Sequence, residues 1–84
     1  MTNKEILMKK IIFRSNHRGT KEMDLLLGKF VNKNISTLNL SELNDLNKIL
    51  EIEDDVLIKW YFSKKKQNSV PINKVSKKLK RFKI

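Results

Sequence analysis

The chain has no cysteine, so a disulfide framework and a thiolate metal site are both excluded. It has one histidine, His17, which excludes multi-histidine metal clusters and leaves little for Ser/His catalysis. Proline occurs once and glycine twice in 84 residues. No apolar run approaches the roughly 20 residues that span a bilayer. Residues 1–10 include Glu5 and lack an apolar core, so they read neither as a secretory signal nor as an arginine-rich transit peptide. The expectation is a cytoplasmic protein with one modest core, too small to enclose a large substrate.

Acid is missing from one end. Residues 64–84 carry nine of the 19 cations and no carboxylate side chain, leaving ten cations against all 9 acids in residues 1–63. The body is nearly neutral and the tail strongly basic. The many Lys, Asn and Ile residues read as compositional drift, which raises charge without a binding purpose.

Periodicity then assigns helices. Residues 5–15 form the first, with Leu7, Ile11 and Arg14 on a face and Met8, Ile12 and Ser15 beside it. Gly19 interrupts the pattern and permits backbone angles other residues avoid. Thr20 caps a second helix over 21–32, with Glu22 and Asp24 at its positive end. Met23, Leu26, Leu27, Phe30 and Val31 form its buried stripe. Gly28 interrupts that helix at a cost of about 1 kcal/mol, which implies close approach of another helix.

Residues 32–40 read as a loop. Ser41 is expected to cap a third helix over 42–50, with Leu43, Leu46, Ile49 and Leu50 inward. Asp54 is expected to cap a fourth over 55–64, with Val56, Leu57, Trp60 and Tyr61 inward. Pro71 stops any helix running through it. A fifth helix spans 73–82 on a stripe of Ile72, Val75, Leu79 and Phe82. The expected architecture is all-α, a compact bundle of five short helices in one domain over 1–84, with 64–84 a basic loop and helix open to partial disorder.

Three constellations carry possible chemistry. Arg18-Gly19-x-x-Glu22 could present two opposite charges around a small residue to a partner. On physics alone the plainer reading is preferred: Gly19 ends a helix, Glu22 serves the next helix dipole, and Arg18 pairs with Glu22 on the surface. The basic tail could bind nucleic acid or anionic lipid, but a solvated lysine face is preferred, since Arg81 and Phe82 are its sole arginine and aromatic. Trp60, Tyr61 and Phe62 read as core and core-edge residues. His17 reads as a solvated loop residue, and no phosphate-cradling glycine loop is present. Nothing assembles an enzyme site.

The run from His17 to Phe30, HRGTKEMDLLLGKF, resembles the signature of the SdhE-like FAD assembly factors of succinate dehydrogenase. Those proteins carry Arg-Gly-x-x-Glu, then an acidic residue and an apolar helix. The likeness continues through Leu50-Glu51 and Asp54-Asp55-x-Leu57-x-x-Trp60, covers about residues 5–62, and fades beyond Lys64, where this tail is far more basic.

The resemblance implies a five-helix bundle. It also implies a non-enzymatic factor that binds the flavoprotein subunit of succinate dehydrogenase or fumarate reductase and promotes covalent attachment of FAD to a histidine there. FAD is then carried by that partner and not held by the chain itself. By matching position, Arg18, Gly19 and Glu22 form the partner-binding surface, with Asp24 and His17 in support. The chain is expected to be a monomer when free, with no membrane insertion. The alternative is a small nucleic-acid-binding protein acting through the C-terminal lysines.

Overall fold

A computed structural model describes residues 2–63 and 69–83. Five α-helices follow one another: α1 Asn3–Ser15, α2 Lys21–Asn34, α3 Leu40–Leu50, α4 Asp54–Phe62 and α5 Lys74–Arg81. A 3-10 turn, Ile35–Thr37, links α2 to α3. No strand occurs among the described residues, so the all-α expectation holds.

Helix α1 begins two residues earlier than its apolar pattern suggests. Thr2 and Glu5 close a capping box around its first turn. Thr20 caps α2 as expected, accepting from the Met23 amide. Two expected caps are corrected. Asn39, not Ser41, caps α3, because its side chain accepts from Glu42 N while the Glu42 carboxylate reaches back to Asn39 N. Ser41 has no acid three residues on, so it cannot form that reciprocal pair. At α4 the N-cap is Glu53, with no side-chain cap bond, and Asp54 is already the first helical residue. The Asp54 carboxylate is engaged elsewhere, as described below.

Helix α1 packs on both α2 and α3; α3 also supports α5, and α2 touches α4. The α2 stripe is buried as its spacing requires, with Phe30 and Leu27 fully enclosed. All four inward residues of α3 are buried too. Gly28 serves close packing: a Cβ there would lie 3.0 Å from Asn16 Oδ1, at the end of α1. In α4 Leu57 and Trp60 are buried, while Val56 and Tyr61 are half-buried and Phe62 is exposed.

The apolar block of α1 divides: Ile11 is buried, but Ile12 and Phe13 face outward. Consecutive helical residues are about 100° apart, so one of three can point at the core. Ile72 also differs from expectation. It precedes the first helical turn, is 61% exposed, and leaves Val75 and Leu79 as the buried stripe of α5. Helix α4 ends at Phe62, and its expected last residue, Lys64, lies outside the described residues, as do residues 65–68 and 84 of the basic segment.

Candidate partner-binding site

The segment from His17 to Thr20 turns the chain from α1 into α2. It is held from below by residues far along the sequence. The Arg18 guanidinium reaches under the corner to the α3–α4 junction. There Nε donates to Asp54 Oδ1 at 2.7 Å, Nη1 to the Leu50 carbonyl at 2.6 Å, and Nη2 to the Ile52 carbonyl at 2.8 Å. Nη2 also stands 2.7 Å from Asp54 Oδ1, and the two side chains are 9% and 13% exposed.

The placement follows from helix ends. Leu50 closes α3, where carbonyls lack intrahelical donors and carry partial negative charge. Asp54 opens α4, where amides carry partial positive charge. One guanidinium therefore satisfies the end of one helix and the carboxylate that begins the next.

The other Asp54 oxygen holds the corner itself. Oδ2 accepts the Gly19 amide at 2.6 Å and the Thr20 amide at 3.1 Å. Asp24 works from the opposite side: its Oδ1 accepts the Arg18 backbone amide at 2.9 Å. The corner thus hangs between two carboxylates, one from α2 and one from α4.

Two expectations are corrected. Arg18 does not pair with Glu22; it pairs with the Asp54 carboxylate, beside the carbonyls of Leu50 at the end of α3 and of Ile52 in the link to α4. Gly19 does not adopt a positive φ. Its small size is needed instead for space, since a Cβ would lie 3.3 Å from Asp54 Oδ2.

Glu22 lies on the exposed first turn of α2, with no hydrogen bond or ion pair among the described residues. His17 is exposed as well. Its ring stacks on Phe13 with centroids 4.0 Å apart, and Nδ1 lies 2.7 Å from the Phe13 carbonyl. A carbonyl can only accept, so Nδ1 carries the proton in this hydrogen bond. The outer face of the corner therefore comprises His17, Gly19 and Glu22. Arg18 and Asp24 form its support.

Sequence reasoning missed Asp54 as part of this site, because its partner lies 36 residues away. It also missed Lys80. That ammonium donates to the carbonyls of Trp60, Tyr61 and Ser63, at 3.0 Å from Tyr61 O and 2.9 Å from Ser63 O, and lies 5.0 Å from the Trp60 ring centroid. It closes the C-terminal end of α4 just as Arg18 closes that of α3. Burial pulls the Lys80 ammonium below the ordinary lysine value.

With this geometry in hand, comparison with known proteins is decisive. The family described as flavinator of succinate dehydrogenase matches residues 9–83. The chain belongs to that family. It is 45% identical over 56 residues to FAD assembly factor SdhE of Acetobacter pasteurianus, covering 67% of this chain and 51% of that protein. It is 42% identical over 60 residues to mitochondrial succinate dehydrogenase assembly factor 2 of Dictyostelium discoideum, covering 71% and 43%. The Arabidopsis thaliana protein of the same name is 33% identical over 58 residues, covering 69% and 31%. The chain thus matches about half or less of the length of these curated relatives. No solved structure matches the chain. Among the described residues no helix is long and apolar enough to cross a membrane.

Proposed function

We propose that this chain is an assembly factor that binds the flavoprotein subunit of succinate dehydrogenase, or of fumarate reductase, and promotes covalent attachment of FAD to its acceptor histidine. The observation that carries the reading is membership of the flavinator family together with an exposed, unpaired Glu22 on a corner braced from below. The partner supplies both FAD and the histidine. The chain supplies a surface, acts without chemistry of its own, and works as a cytoplasmic monomer.

The physical role is positioning. Bond formation between flavin and histidine requires the two to be held in a reactive arrangement, and restricting them to it lowers the barrier. A small protein can impose such restriction by binding one conformation of the flavoprotein better than the others. Rigidity is then an asset, since a loop already ordered loses less entropy on binding. Arg18, Asp54 and Asp24 provide that order. Gly19 lets the partner's backbone come close, and Glu22 and His17 flank it with polar groups.

The test is co-expression with the flavoprotein subunit, measuring complex formation and protein-bound flavin after denaturation. Glu22→Ala should lower both while leaving the helical content unchanged. Gly19→Arg should also lower both by bulk, with its folding checked separately because even a Cβ there would lie 3.3 Å from Asp54 Oδ2. Full flavin attachment with either folded variant would overturn the assignment.

A further inference from the structure

Helix α5 has two dissimilar sides. Val75 and Leu79 are buried in the core. Lys74, Lys77, Lys78 and Arg81 follow at i, i+3, i+4 and i+7, which sets them along one stripe. All four are exposed, and they line an open groove of about 320 Å³. Lys83 follows the stripe, and Lys33 of α2 comes within 6.0 Å of the Phe82 ring near the same end. Among the described residues the stripe's one ion pair is Lys74 with Glu42, at 4.0 Å. Lys80, on another side of the helix, is held by the carbonyls of α4. The stripe is therefore a concentration of positive charge with one acid, Glu42, set against it among the described residues.

We propose that this stripe docks the protein on the surface of an anionic lipid bilayer. Charge complementarity is the first argument, since each cation near such a surface strengthens binding roughly fivefold. The residue type is the second. The groove is lined largely by lysine stems; such stems can lie along an apolar boundary while their ammonium groups stay among headgroup phosphates. The third is Ile72, 61% exposed two residues before Lys74, an apolar side chain that core packing leaves available to a bilayer.

A nucleic acid fits less well. Base stacking needs an outward aromatic among the cations, whereas the half-buried Phe82, the aromatic next to the stripe in sequence, meets Phe30 edge-on at 5.4 Å. Docking is adsorption and not insertion, because the apolar side of α5 is already used in the core.

The experiment uses the full chain and vesicles of phosphatidylcholine, with or without about one third phosphatidylglycerol. Binding is followed by co-sedimentation at low salt and at about 0.3 M salt. The wild type should bind the anionic vesicles alone and be released by salt. A variant carrying Lys74→Gln, Lys77→Gln, Lys78→Gln and Arg81→Gln should bind at least roughly fiftyfold more weakly with an unchanged helical spectrum. Ile72→Ser should weaken the binding that survives intermediate salt. The proposal is overturned if the wild type ignores the anionic vesicles at low salt. Retention of binding by the four-residue variant would also refute it. So would displacement from the vesicles by single-stranded RNA at nucleotide concentrations equal to the lipid, which would identify nucleic acid as the occupant.

Discussion

Arg18 and Asp54 are 36 positions apart in the chain and 2.7 Å apart in the fold. Their pairing ties the α1–α2 corner to the α3–α4 junction, and each is also bonded to backbone groups at those two places. Removing one member strands the other. Breaking a buried ion pair from one side typically costs about 3–5 kcal/mol, and a pair with slight exposure should fall near the lower value. Asp54→Ala should therefore destabilise the protein by about 3 kcal/mol, read as a lowered urea midpoint. Asp54→Asn should not rescue it. Both Asp54 oxygens face donors, so the amide NH₂ of asparagine must oppose one of them. An asparagine variant of wild-type stability would refute this account of the corner.

Gly19 is constrained by that same carboxylate. A Cβ 3.3 Å from Asp54 Oδ2 is tight, and Asp54 is anchored by Arg18 and two amides, so it has little room to retreat. Gly19→Ala should cost about 1 kcal/mol, whereas a glycine needed for a positive φ would be penalised whatever surrounds it. The two explanations separate in the background of Asp54→Ala, where the alanine at 19 should become neutral or slightly stabilising. Persistence of the full penalty there would point to backbone strain.

The elements that sequence reasoning located correctly are those whose signal is local. The α2 stripe from Met23 to Val31 repeats at helical spacing, and the core has no better use for that face. The α3 cap was also legible, since Asn39 and Glu42 stand three apart as a capping box requires, but Ser41 is the stronger-looking hydroxyl beside the apolar run. Arg18–Asp54 left no local trace. Spacing reports neighbours on one helix, and the brace depends on where two helix ends meet in space. The same holds for Lys80, which in sequence is one lysine among many and in the fold is set apart by the open carbonyls of α4.

Lys80 yields a prediction with a pH signature. Its half-buried ammonium bonds three carbonyls at the end of α4, so Lys80→Met should cost about 1 kcal/mol at neutral pH after allowance for partial exposure. Burial lowers its pKa in the folded state. The unfolded chain therefore holds that proton more tightly. Through the window just below the ordinary lysine value of about 10.4, the unfolded state binds more protons and stability rises with pH. The wild type should gain on Lys80→Met across that window when urea midpoints are compared. A difference that is flat or falling would show that the carbonyls outweigh burial.

Gly28 offers the cleanest separation of two opposing effects. Alanine in a helix interior is favoured over glycine by about 1 kcal/mol, so Gly28→Ala should stabilise α2 if nothing stands nearby. Asn16 Oδ1 does, 3.0 Å from the position of the new Cβ, and the Asn16 side chain is held by its own bond to the Ile12 carbonyl at 2.9 Å. The clash should cancel the helical gain and leave the single variant neutral or mildly destabilised. Asn16→Ala removes the obstruction. In that background Gly28→Ala should stabilise by about 1 kcal/mol, giving a coupling of at least that size in a double-mutant cycle. Simple additivity would mean that the Asn16 side chain swings aside freely, and that the glycine is kept in α2 for some reason other than the packing of α1 against it.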